Sequence, residues 1–388
     1  MPSPRNILLV GIEGELRRGL RAHEDESRDE WHFIHARGFL EAMALLGARP
    51  CEAVVAALAL PGFSGGQLMM EVMHRHPRAR RILVAEPRRL PASPKCSGAA
   101  HQIWLLPFGA RSMLERLTAA LSRETWFASD STQRLFARLL AMPPLPEVYF
   151  QIEEARNHGE IEAGELARIL AGFPEVRRHW LRWTAAAGQG GPRVIPWEHL
   201  ALVLLAHLRA FFGLNLPRPA EVESWEGEAL MTARLAREIA RGESGDETTV
   251  RASFFGGLLH DAGRLLLEIN HPERVATARR WSQQKAVPVW QAEHAILGMT
   301  HADLGACLLS QWGLPWPVVE AVARSHDPER IGPAEFSAST AVRAAILAAA
   351  QWGNGGGPGE TAASEGLPGL RPLPAVAARE LAAHVQAA

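Results

Sequence analysis

Hydrophobic periodicity changes once along this chain, and that change restricts its folds more than any other feature. Through the first 125 residues, short apolar runs alternate with segments of helical spacing. From Thr132 onward almost every segment repeats its apolar residues at helical spacing, and strand signals all but vanish. Alternation of the first kind marks a parallel sheet, because parallel strands must be rejoined through connections long enough to hold a helix. Ile7 to Val10, Trp31 to Ile34, Ala53 to Leu60, Arg81 to Ala85 and Gln102 to Leu106 read as the strands, the third stopped by Pro61-Gly62. Leu16 to Ala22, Gly38 to Gly47, Gln67 to His76 and Arg111 to Ser122 read as the helices. The first unit is therefore expected to be α/β and doubly wound. In the second, Leu135, Leu139 and Leu140 share one helix face and Leu166, Ile169 and Leu170 another, and Leu200 to Phe212 is apolar enough for a central helix. That unit is expected to be all α.

The seam is expected between Arg123 and Met142, giving one domain over 1–125, a helical connector over 126–140 and a helical domain over 141–388. Within the last, residues 353–369 have the composition of a flexible loop, and Ala375 to Gln386 reads as a final short helix.

Bulk properties exclude several function classes. A formal net charge of −1 gives no electrostatic footprint for a nucleic-acid binder. The Arg-rich stretch from His74 to Arg81, with Arg88 and Arg89, reads as an exposed helix end and loop, with docking of an acidic partner as the alternative. No apolar run of membrane-spanning length appears, and the opening residues lack the pattern of a signal peptide, so a cytoplasmic protein is expected. Cys51, Cys96 and Cys307 are too widely spaced for a metal knuckle or a disulfide framework. There is no P-loop, no GxGxxG after a strand and no GxSxG.

ILLVGIEGELRRGL and VVAALALPGFSGGQL sit where response-regulator receivers carry, respectively, an acidic strand end and a phospho-accepting Asp before a Pro-Gly loop. Over roughly residues 5–125 the chain resembles a receiver domain, which implies a flavodoxin-like fold. Receiver chemistry needs a carboxylate nucleophile, carboxylates holding magnesium, and a Lys and a hydroxyl residue steadying the phosphoryl group. On this sequence the acidic pair is Gly11 and Ile12, leaving only Glu13, which reads as a solvated loop residue. The acceptor position is Ala57, the hydroxyl position is Ala85, and the Lys before the last-strand Pro is Leu106. The resemblance thus implies a receiver fold without receiver activity.

FFGGLLHDAGRLLLEINHPE, Phe254 to Glu273, carries a His-Asp doublet in a strongly apolar setting, read as the interior of one helix. With AMPPLPEV, SWEGEALMTARLAREIA and GMTHADLGACLLSQWGLPWPVVEAVARSHDP, which occur in the same order, the region 135–350 resembles the HDOD family. That family is related to the metal-dependent HD phosphohydrolases and is regarded as regulatory. The resemblance implies a cluster of His260, Asp261, His301 and His326, with Glu228 or Asp303 as further carboxylates. It also implies that other metal positions are empty: Ser325 precedes His326 where a His-His pair stands, Gly227 replaces a His, Ala345 or Ile346 replaces a closing Asp, and Arg264 replaces a Lys. Losing ligands from two helices should abolish a dinuclear centre. His271 is expected at a helix end. His294 is expected to be cut off from His301 by a break at Gly298, and His199 and His207 to be core or groove residues. Trp312 and Trp316 are expected to fix a turn around Gly313-Leu314-Pro315.

These readings converge on a bacterial signalling adaptor with no catalytic residue, no metal and no cofactor. It would bind protein partners or a small nucleotide ligand, with a homodimer as one available assembly. The alternative is a weak metal-dependent phosphodiesterase built on His260, Asp261, His301 and His326.

Overall fold

In the N-terminal part of the computed structural model, successive residues of each strand point to opposite sides of one sheet, and both sides are buried. The described residues are 5–26, 31–86, 99–106, 108–121, parts of 132–146, 147–157, 161–184, 196–216, 219–326 and 336–353. The expected loop over 353–369 (apart from Gly353), the last helix and most of the connector lie outside them. The chain divides into two compact units, Met1–Leu145 with Leu309–Gly313, and Pro146–Leu308 with Leu314–Ala388.

The sheet of the first unit contains β1 (Arg5–Val10), β2 (Trp31–Ala36), β3 (Ala53–Ala57), β6 (Arg80–Ala85) and β7 (Gln102–Leu105). Its order is β2-β1-β3-β6-β7, every pair parallel. Counting these strands alone, the order is 2-1-3-4-5, which reverses direction between β1 and β3. Leu8, Val10, Val54, Ala56 and Leu83 bury one face against α2 (Phe39–Ala48) and α3 (Gly65–Arg75). Ile7, Leu9, Val55, Ile82 and Val84 bury the other against α1 (Gly14–Glu26) and α4 (Ala110–Leu121). Two apolar faces explain why the strands read as continuous apolar runs.

The expected third strand is shorter than the sequence suggested. β3 stops at Ala57, and Ala59–Leu60 forms instead a small antiparallel pair, β4, with β5 (Phe63–Ser64). Pro61 and Gly62 make the turn, Gly62 with φ +74°, because a Pro-Gly pair suits a turn that needs a left-handed third residue. Ser64 and Gln67 then close a reciprocal capping box that starts α3. Arg81 is no surface charge. It is buried, donating from Nε to the Ala99 carbonyl at 2.8 Å and from Nη1 to those of Pro77 and Ala79.

The second unit is helical among the described residues. It contains α5 (Glu147–Asn157), α6 (Ala163–Ala171), α7 (Pro174–Thr184), α8 (Trp197–Asn215), α9 (Pro219–Glu243), α10 (Glu247–Leu259) and α11 (Ala262–Asn270). It continues with α12 (Pro272–Lys285), α13 (Val289–Leu297), α14 (His301–Gln311), α15 (Trp316–Ala323) and α16 (Ala338–Gly353). The long α9 packs along α10 and α16, and α10 also packs on α15. A β-carbon on Gly257 of α10 would lie 2.8 Å from the Cα of Ala233, so α9 and α10 touch backbone to backbone. α8 alone among the described helices is long and apolar enough to cross a membrane; 56% of that stretch is buried by its neighbours, as a core helix would be.

Candidate functional site

The His-Asp doublet does not sit within one helix. α10 ends at Leu259 and α11 begins at Ala262, so His260 caps the first helix and Asp261 precedes the second. Apolar periodicity runs unbroken through the junction, which is why the sequence reads as continuous. The break turns both side chains inward, leaving the two residues 5% and 6% exposed.

A glycine contact brings the third member to them. A β-carbon on Gly263 would fall 2.0 Å from the His301 carbonyl oxygen and 2.6 Å from the Gly305 nitrogen. Only glycine lets the start of α11 approach the start of α14 this closely. His301 Nε2 thereby lies 3.3 Å from Asp261 Oδ1 and 2.8 Å from His326 Nε2. Asp261, His301 and His326 together offer three ligand atoms that all lie within 4.8 Å of one another. His260 sits at the edge of this group. Its Nε2 is 3.9 Å from Asp261 Oδ1, while its Nδ1 pairs with the Gly257 carbonyl at 2.8 Å.

Glu293, which the sequence did not single out, completes the cluster. Gly298 adopts φ +78° and ends α13, so the chain folds back and sets Glu293 against His301. One Glu293 oxygen accepts from both the backbone N–H and the Nδ1 of His301, at 2.9 and 2.6 Å. On the far side, Arg264 Nε lies 3.1 Å from Asp261 Oδ2 and its Nη2 donates to Glu228 at 3.2 Å. Arg343 donates to the His326 carbonyl at 2.6 Å.

Charge follows from this geometry. Burial would lower the pKa of His301, but the Glu293 and Asp261 carboxylates outweigh it and lift it to about 10. Burial would raise that of Asp261, but the His260 and His301 imidazoles and the Arg264 guanidinium hold it well below the carboxylate range. His326 is pushed well below its ordinary value by burial and by His301. Burial likewise lowers His260. His301 is thus an imidazolium donating from both nitrogens, and His326 is a neutral acceptor.

The other sequence candidates lie elsewhere. Asp303, the third residue of α14, closes a capping box with Thr300, accepting from its N–H at 3.0 Å and its hydroxyl at 2.9 Å. Glu228 reaches the cluster only through Arg264. His271 stands between α11 and α12, and His294 is exposed in the last turn of α13. His199 and His207 are half-buried on α8. Ser325 donates to the Val322 carbonyl at 2.8 Å, and Gly227 faces open space.

Residues 142–328 match the family model described as HDOD domain. The match covers most of the helical unit. An HDOD domain protein of unknown function from Geobacter sulfurreducens is similar in fold, with a TM-score of 0.50 at 15% identity, covering 66% of this chain and 94% of that one. A proposed phosphohydrolase from Shewanella amazonensis has a TM-score of 0.50 at 19% identity, covering 62% and 90%. An uncharacterized protein of Treponema pallidum (strain Nichols) is 26% identical over 100 residues, which span 26% of this chain but only 19% of that protein. Within the matched residues, the doublet, the third His and the last His converge. The Gly227 and Ser325 positions bring no carboxylate or imidazole to them.

The donors fit one divalent ion and not two. Asp261, His301 and His326 are the right residue types at the right separation, and Glu293 on Nδ1 is the carboxylate–histidine support usual behind a metal-bound His. Such an ion would displace the proton from His301 Nε2 and supply Lewis-acid activation of a bound water.

Proposed function

We propose that this chain is a regulatory protein of bacterial signal transduction that acts by binding rather than by catalysis. In this reading its N-terminal unit is a receiver-like domain that cannot be phosphorylated. The observation that carries the reading is the state of the crevice at the sheet's reversal point. Ligands of doubly wound sheets bind beyond the carboxyl ends of the strands where the order reverses, here between β1 and β3. That place is lined by Gly11 and Ala57 and filled by Leu60. A β-carbon on Gly11 would lie 2.5 Å from Leu60 Cδ2 and 3.4 Å from the Ala57 β-carbon. A leucine methyl occupies the space where a receiver would need carboxylates and a magnesium ion.

The helical unit supports the same reading. Its Asp and His groups satisfy one another, and Arg264 supplies to Asp261 the positive charge that a metal would otherwise bring. Such a cluster ties helices α10, α11, α13 and α14 to one another and to His326 beyond α15. Protein partners, a small nucleotide or a second copy of the chain are the candidate ligands.

A second reading is favoured by one observation, the convergence of Asp261, His301 and His326 backed by Glu293. On it, the chain is a weak phosphodiesterase with a single ion. Metal analysis of the purified protein separates the two, beside His260→Ala and Asp261→Ala variants and followed by a hydrolysis screen against cyclic dinucleotides and guanosine polyphosphates. The regulatory reading expects no stoichiometric metal and no turnover. Metal that vanishes in Asp261→Ala, together with turnover, would overturn it.

A further inference from the structure

α7 and α8 enclose a cleft of ≈ 390 Å³ on the helical unit. Arg178, His179 and Arg182 line it from α7, and Arg209, Gly213 and Leu214 from α8. Residues four apart fall on one helix face, which is why Arg178 and Arg182 share a wall and Arg209 and Gly213 share the opposite one.

The guanidiniums are placed by a single buried acid from a third helix. Glu226 of α9 is 4% exposed, and its two oxygens meet Arg209 Nε at 3.0 Å and Arg182 Nη2 at 3.1 Å. Arg209 and Arg182 thus share one buried carboxylate, and neither has a buried acid of its own. Glu175 also lines the cleft from α7, and Glu223 stands beside Arg209. Glu223 is 3.8 Å from Arg209 and Glu175 pairs with Arg178, and both side chains are more than half exposed, where pairing is screened. His179 lies among these charges, and its pKa is lowered first by burial and then by Arg209 and Arg178, with Glu226 and Glu175 opposing.

The position of Arg209 depends on Gly213. A β-carbon there would lie 2.7 Å from Arg209 Nη1, so a larger residue shifts the end of that side chain. Beside it Leu214 is 82% exposed, an apolar side chain standing in water at the mouth of a cationic cleft. The volume lies within the range of small-molecule sites. Guanidinium pairs with fixed geometry suit the oxygens of a phosphoryl group.

We propose that this cleft binds a small organic phosphate, its phosphoryl oxygens on Arg182 and Arg209 and its apolar part on Leu214. The site is separate from the Asp261 cluster, so metal or turnover there would leave this proposal standing.

Isothermal titration of the full chain at low salt, with phenyl phosphate as the probe, tests it. One molecule should bind per chain, and Arg182→Gln should weaken binding about tenfold or more. Arg182 is 57% exposed on its side chain, so this variant keeps the fold. Gly213→Ala should weaken binding similarly without removing any charge. Arg111→Gln, on the 95%-exposed side chain of α4, should leave it unchanged. Absence of saturable binding, or equal losses in Arg182→Gln and Arg111→Gln, would overturn the proposal.

Discussion

A single carboxylate oxygen of Glu293 accepts two hydrogen bonds from His301, one from its backbone N–H and one from its ring. Both residues are buried, and the ring carries a proton because Glu293 and Asp261 flank it. Removing one partner of a buried pair leaves an uncompensated charge. Glu293→Gln is therefore expected to cost about 3 kcal/mol of stability and to lower the His301 pKa. Urea unfolding measures the first effect and NMR titration of the ring the second. An unchanged unfolding midpoint would show that the pair does not brace the start of α14.

Gly263→Ala should be more damaging than its size suggests. The added methyl would meet the His301 carbonyl and the Gly305 nitrogen, both main-chain atoms that no rotamer change can move aside. A loss of about 3 kcal/mol or more is expected, along with displacement of His301 from Asp261. Thermal unfolding reports the loss. Ring shifts of His301 and His326 report the displacement.

Leu60→Ala removes the side chain that fills the crevice between Gly11 and Ala57. A core truncation of this kind should cost about 2–4 kcal/mol. It should not create phosphorylation, because Ala57 still offers no nucleophile. Incubation of the variant with acetyl phosphate and intact-mass measurement is the check, and a phosphorylated species would contradict the assignment.

His101 makes the N-terminal unit sensitive to acid. Its Nδ1 accepts the Arg81 backbone N–H at 2.9 Å, and burial, then Arg81 and Arg80, hold its pKa well below the ordinary value. An unfolded His titrates near 6.5. Below that pH the unfolded chain takes up a proton that the folded chain refuses, so this contribution is full above about 6.5 and falls as pH drops. His260, His326 and His179 have lowered pKa values and act in the same direction. The unfolding midpoint should therefore fall between about pH 7 and pH 5, and less steeply in His101→Gln.

Much of the fold is legible in the sequence because burial on both faces leaves strands as dense apolar runs. All five strands of the parallel sheet stand where those runs lie. The end of the third is hidden because the run stays apolar through Leu58 and Ala59 to Leu60, although the ladder stops at Ala57. Composition cannot show a chain leaving a sheet when the residues that leave are also apolar. The helix break at His260 is hidden in the same way by flanking leucines. Of the site, the residues with distinctive chemistry stand out in the sequence, and Glu293 does not. Its signal is a lone acid in the mostly apolar helix VWQAEHAIL, eight residues before His301, but the αL turn at Gly298 that joins them is a property of three dimensions. Asp303 reads as a further ligand because a capping residue and a ligand look alike in sequence.

Arg264 spans Asp261 and Glu228 with a positive charge that is covalently part of the chain. A junction neutralised in this way carries its counter-ion in its own gene. No chelator can strip that cation, and no shortage in the growth medium can withhold it. In the regulatory reading proposed above, the shape that α9 and α11 present at this corner would therefore not track the metal supply of the cell.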